Sequence, residues 1–237
     1  GCILSAVLRL TSLLSALPLV CHMRLASEEL IALRQTGART GGHPEILLAV
    51  AFVAASGPLG QGIANSVGFA MAEEMLRAQY GAKVVDHHTY VIAGDGCLME
   101  GVSQEAITLA GRHKLSKLIV MWDNNNITID GPVSLSDNTD QVARFKAAKW
   151  HVIEIDGHNP DEIDAALTEA KASDLPTMIA CQTHIAWGHA AQDTDTGHGA
   201  LTDADHRAEA KKQYGWTTDP LQAPTARKTP WGTSGKG

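Results

Sequence analysis

Four short apolar runs separated by helical patterns set the strongest limit on how this chain folds. Thr89 to Ala93 (TYVIA), Leu118 to Trp122 (LIVMW), Val152 to Ile155 and Thr177 to Gln182 each read as a buried strand. Between them lie helical patterns. One is marked by Val102, Ala106, Leu109 and Ala110 and runs to about Lys114, a second lies near Gln141 to Ala148, and a third spans Pro160 to Lys171. Strand, helix and strand at this spacing close by a right-handed crossover and lie parallel. Repeated along the chain, the unit predicts an α/β fold: a doubly wound, mostly parallel sheet with helices on both faces. Ahead of the first strand, Ile63, Val67, Ala70, Met71 and Met75 recur near the helical period over Ile63 to Tyr80. A tight loop, Gly57-Pro58-Leu59-Gly60-Gln61-Gly62, leads into that helix. Ser27 to Arg34 opens with a cap residue and acidic residues, and reads as a further short helix.

The 237 residues, 44% of them hydrophobic, suffice for one globular core. Residues 1–24 form an atypical apolar segment, broken by Arg9 and several Ser and Thr, which reads as a buried helix rather than a membrane anchor. Residues 25–216 carry the α/β pattern as one domain. Residues 217–237 are rich in Pro, Thr, Gly and Lys and read as a disordered tail. The net charge of -7 without a basic stripe argues against nucleic acid and anionic membrane surfaces as partners. Cysteines 2, 21, 97 and 181 have neither metal-ligand nor CxxC spacing, so free thiols in a reducing, cytoplasmic compartment are expected.

The chemistry sits in the turns after the first two strands. Gly94-Asp95-Gly96 follows one, and Asp123 to Asn126 follows the other. Open parallel sheets bind ligands at the carboxyl ends of their strands, so the two turns should lie side by side on the ligand face. Asp95 offers an anionic oxygen and Asn125 a neutral carbonyl oxygen, a pairing suited to Mg²⁺ or Ca²⁺ completed by phosphate oxygens and water. The flanking glycines let backbone approach a bulky anion, and the helix that follows adds a favourable dipole. A diphosphate held through a divalent cation fits this placement.

Gly94 to Gly131, GDGCLMEGVSQEAITLAGRHKLSKLIVMWDNNNITIDG, resembles the thiamine-diphosphate motif of the transketolase family. GPLGQGIANSVGFAMAE (Gly57 to Glu73), RTGGHPE (Arg39 to Glu45) and the HGA of His198-Gly199-Ala200 resemble three more hallmarks of that family, in the same order. The motifs cover roughly residues 25 to 215. The resemblance implies the thiamine-diphosphate-binding fold and the diphosphate-binding half of its cofactor site. It implies Asp95, Asn125 and the main-chain oxygen of Ile127 as metal ligands, and Gly96, Asn125 and His198 against the diphosphate. It places Gly57, Pro58 and Leu59 at the aminopyrimidine end. His43 and His198 become the catalytic histidines near the sugar substrate, and Glu100 and Glu105 match subunit-interface positions.

The implied activity is transfer of a two-carbon ketol unit from a ketose phosphate to an aldose phosphate, a step of the pentose phosphate pathway. Thiamine diphosphate and Mg²⁺ (or Ca²⁺) are the implied cofactors. The implied partner is a second copy in a homodimer, or a chain carrying the pyrimidine-binding domain, whose activating Glu is absent from this sequence. The pattern departs from the family in Gly1 to His22, which lacks a GHG segment, in Ile46 to Ser56, and after Trp216. Loss of pattern with length preserved is what a local shift of reading frame leaves, and sequencing the gene across those borders tests that idea. Rival readings are the N-terminal subunit of a split transketolase, an inactive remnant, and a related ketol-transferring synthase.

Overall fold

The computed structural model of the chain describes residues 58–198 and 204–217. Pro58–Gly215 form one compact unit. The expected segments 1–24 and 46–56, the helix at Ser27 to Arg34, and residues 218–237 lie outside the described residues.

Helix α1 spans Gln61–Tyr80, strand β1 Thr89–Gly94, helix α2 Asp95–Met99 and helix α3 Gly101–His113. Strand β2 spans Leu118–Asn124, and a small hairpin follows, β3 (Ile127–Thr128) and β4 (Gly131–Pro132). Helix α4 is Gln141–Ala147, β5 His151–Asp156, α5 Pro160–Ala172, β6 Thr177–Gln182 and α6 Ala204–Gln213. The main strands form one parallel sheet in the order β1-β2-β6-β5. Its four strands match the predicted ones to within two residues at each end, but β1 is an edge strand of the described sheet that leaves Tyr90 and Ile92 exposed, where a buried strand was expected.

Because alternate side chains of a strand point to opposite faces, one sheet organises two cores. On one face, Ala93, Leu118, Val120, Trp122, Met178 and Ala180 pack beneath Ile63, Val67 and Ala70 of α1 and Ala106, Ile107 and Ala110 of α3. On the other, Ile119 and Ile179 pack against Ala166 and Ala170 of α5. Helices therefore cover both faces of the central strands β2 and β6, as the sequence pattern predicts. Phe145 and Trp150 meet edge to face at 5.0 Å, and the buried Trp150 indole donates to the Ile107 carbonyl at 2.8 Å. That joins α4 and β5 to α3. Gly111 makes the approach possible: a Cβ there would lie 1.8 Å from the Ala148 carbonyl oxygen.

The helix ends follow local chemistry. Pro160 opens α5, and Asn159 caps it by accepting from the Asp161 amide at 3.1 Å. Asp140 caps α4 by accepting from the Ala143 amide at 2.8 Å. Among the described residues, no helix is long and apolar enough to cross a membrane.

Candidate active site: the carboxyl ends of β1 and β2

Strands β1 and β2 pair directly, with Gly94 opposite Asp123, so the two turns picked out by sequence lie side by side. The first is tighter than a loop. Gly94 is the last extended residue, and Asp95 already starts α2. Glu100, in extended conformation, then separates α2 from α3. The helix expected only after the loop is thus split in two, with the Asp at the strand–helix junction.

Asp95 is 7% exposed. Its Oδ1 accepts from the Trp122 indole at 3.0 Å, and its Oδ2 accepts from the Asn126 amide at 3.2 Å. Burial pushes its carboxyl up to about 6; the hydrogen bonds from Trp122 and Asn126 oppose that rise, and the Asp123 charge adds to it. No cation balances this carboxylate among the groups that shift it. Each oxygen keeps a further lone pair.

Asn125 Oδ1 accepts from the Ile127 amide at 3.0 Å, a local turn that Asn makes readily. Asn126 then takes a left-handed conformation, φ 62°. In the hairpin, Ile127 and Pro132 form a non-hydrogen-bonded pair, flanked by the Val133 amide donating to the Asn126 carbonyl at 3.0 Å, so the Ile127 carbonyl points away from β4. One carboxylate, one amide oxygen and one main-chain carbonyl make an oxygen donor set of the kind hard divalent cations take. Among the described residues there is no group of three His, Cys, Asp or Glu that could hold a metal. A cavity of about 450 Å³ opens beside Asp95, lined among others by Met99, Trp122, Asn126, Asp137 and Gln182.

Leu59 and Gly96 are brought together. The Leu59 Cδ1 lies 2.9 Å from where a Cβ on Gly96 would stand. Pro58 and Leu59 are exposed, and the chain then turns at Gly60, φ 80°, which packs against Glu100, Val102 and Ser103. Glu100 and Glu105 are both exposed.

His198 ends a 3₁₀ turn, Asp195–His198, that lies beside β3 and so beside Ile127. The segment leading to it is ordered by polar contacts. Thr183 donates its hydroxyl to Asp123, His184 pairs with Asp193 at 2.9 Å, and the His184 amide donates to the His158 ring at 3.0 Å. His184 therefore organises the segment, where sequence reading gave it no role. His43 and Gly57, and Gly199 and Ala200 of the HGA motif, lie outside the described residues. Cys97 and Cys181 are free thiols, and burial pushes Cys181 up to about 11. Cys2 and Cys21 lie outside the described residues.

Sequence reading missed Trp122. It was one more apolar residue of a buried strand, yet a buried indole N–H needs an acceptor, and Asp95 stands at the end of the neighbouring strand.

A parallel α/β sheet with a buried carboxylate and an Asn turn at the carboxyl ends of adjacent strands defines an α/β domain whose polar turns lie where sheets of this kind bind ligands. Residues 3–235 match the family model described as transketolase, thiamine diphosphate binding domain. The chain belongs to that family. The match reaches beyond the 25–215 stretch that the motifs cover. Relatives include the transketolase of Cereibacter sphaeroides, 49% identical over 208 residues, which cover 86% of this chain and 31% of the relative. That of Rhodobacter capsulatus is 48% identical, over 92% of this chain and 33% of the relative. Among solved structures, Campylobacter jejuni transketolase superposes with a TM-score of 0.84 at 40% identity, covering 88% of this chain and 33% of that one. Pichia stipitis transketolase in complex with sedoheptulose-7-phosphate gives 0.84 at 39% identity, over 90% and 33%. The chain spans about a third of the length of these relatives.

Proposed function

We propose that this chain supplies the diphosphate- and metal-holding half of a thiamine-diphosphate-dependent ketol transfer. The observation that carries the reading is Asp95: a buried carboxylate held by the Trp122 indole and the Asn126 amide, beside the Asn125–Ile127 turn at the ends of paired strands. In this reading Asp95, Asn125 Oδ1 and the Ile127 carbonyl hold Mg²⁺, with Ca²⁺ as an alternative. Gly96, Asn125 and His198 take the diphosphate, and Gly57, Pro58 and Leu59 lie against the aminopyrimidine. Binding thiamine diphosphate would supply a thiazolium carbon that stabilises the transferred ketol unit. The chain's own part is to hold and orient that cofactor. His43 and His198 face the sugar and move protons at its hydroxyls.

The substrates on this reading are a ketose phosphate donor and an aldose phosphate acceptor. The sedoheptulose-7-phosphate complex of the Pichia stipitis relative supports that class. The setting is the pentose phosphate pathway in the cytoplasm. On this reading the chain pairs as a homodimer, or with a chain carrying the pyrimidine-binding domain.

Calorimetric titration with thiamine diphosphate and Mg²⁺, repeated on Asp95→Ala, tests the site. Binding by the parent and loss in the variant are expected. No heat from the parent would remove the binding claim, and equal heats from both would remove the metal assignment. Ketol transfer appearing on addition of the C-terminal part of a transketolase tests the division of labour.

A further inference from the structure

The metal ligand proposed above owes its aim to a residue that no motif singles out. Trp122 stands in β2 between two small neighbours: Ala93 of β1 is its register partner on one side and Ala180 of β6 on the other. Both stop at Cβ, which leaves room for an indole at the ends of the strands. Trp122 is 7% exposed, as is Asp95. The one polar atom of the indole can only donate, and it donates to Asp95 Oδ1 at 3.0 Å.

The second carboxylate oxygen accepts from the Asn126 amide. Both bonds therefore come from β2 and the turn that continues it, the same stretch that carries Asn125 and Ile127. A carboxylate on β1's junction is thereby tied to the element bearing the other two proposed ligands. Neither donor can rotate into an acceptor, so neither yields its place when the carboxylate turns.

We propose that Trp122 is a positioning residue for the metal site: its indole N–H holds Asp95 so that the remaining carboxylate lone pairs converge with Asn125 and the Ile127 carbonyl. This rests on the metal assignment made above. Phenylalanine keeps a ring in the core and loses only part of the packing, whereas the donor is lost entirely, and the indole N–H resonance separates the two explanations.

The test uses the whole chain. Trp122→Phe keeps a ring in the core and removes the donor. Calorimetry with Mg²⁺ at fixed thiamine diphosphate should show metal affinity about tenfold weaker in the variant, the worth of one charge-assisted hydrogen bond. A second measurement needs no variant at position 122. In ¹⁵N-labelled parent, one of the five indole N–H resonances should move on saturation with Mg²⁺ and thiamine diphosphate, and the same resonance should be displaced in metal-free Asp95→Asn. That arm decides the matter if Trp122→Phe does not fold. Parent-like metal affinity in Trp122→Phe overturns the proposal, as does an indole spectrum indifferent to both metal and Asp95→Asn. Either result with a binding parent removes the positioning role alone. A parent that binds no metal removes the metal reading and this role together.

Discussion

Lys117 Nζ lies 3.8 Å from Glu73 Oε1, at the end of the sheet opposite the candidate site. The Glu73 side chain is fully buried, neither of its oxygens has a hydrogen-bond partner among the described residues, and Arg77 Nε lies 3.4 Å away. Lys117 also pairs with Asp86 on the surface side. A buried charge is tolerated only while its partners stay. Lys117→Met is expected to cost about 2 to 3 kcal/mol in urea unfolding, because it removes one of the cations that face the buried Glu73. Glu73→Met combined with Lys117→Met should recover at least half of that loss. A double variant as unstable as the single one would show that the pair is not what matters there.

Gly111 offers a steric test of the fold. The Ala148 carbonyl oxygen occupies the space a side chain would need. Gly111→Ala gains helix propensity worth about 1 kcal/mol. It must also push α3 away from the turn before β5, an overpacking cost of roughly 1–3 kcal/mol. A net fall in the thermal midpoint is expected, with loss of the near-ultraviolet signal of Trp150. A rise in midpoint would contradict the close approach described here.

Asp95 should leave a pH signature in the metal-free chain. Burial raises its carboxyl to about 6 from an ordinary 3.8, so between those values the folded state binds the proton that the unfolded state has released. Stability contributed by that proton is present below about pH 4 and is lost as pH rises through 6. Compared with Asp95→Asn, which cannot ionise, the parent should lose about 2 to 3 kcal/mol across that window. The readout is the difference between the two unfolding free energies at pH 4, 5, 6 and 7. A difference that stays flat would mean the carboxyl is not shifted.

Gly60 governs the turn that carries Pro58 and Leu59. Its φ of 80° disfavours any side chain, and a Cβ would sit 2.7 Å from the Glu100 Cβ. Gly60→Ala should weaken thiamine diphosphate affinity several-fold while far-ultraviolet dichroism is retained. Gly101→Ala, where a Cβ meets nothing within 4 Å, is the control and should bind as the parent does. Equal binding by all three chains would argue against a cofactor role for the 58–60 turn.

What the sequence reveals and what it hides divide along physical lines. Strands β2 and β6 were legible because a strand covered on both faces must be apolar throughout, and runs such as LIVMW leave few alternatives, whereas β1, an edge strand of the described sheet with Tyr90 and Ile92 exposed, was legible from its aromatic and β-branched residues. The positions of the Asp95 and Asn125 turns were legible because each follows directly on an apolar run, and the pairing of β1 with β2 brings them side by side. Helix α2 was not, since five residues are too short to show a period. The β3–β4 hairpin escaped for the same reason, with two residues in each strand. The Asp95–Trp122 bond was hidden because hydrophobicity patterns count an indole as grease and take no account of its single N–H. The pairing of His184 with Asp193 depends on how the segment after β6 folds back, which local pattern does not encode.

The alanines on either side of Trp122 carry an evolutionary consequence. A larger side chain at 93 or 180 would displace the indole, and a smaller one at 122 would open a void that a larger neighbour could fill. Drift at these three positions is therefore coupled. Across related chains they should change together, as a covarying trio.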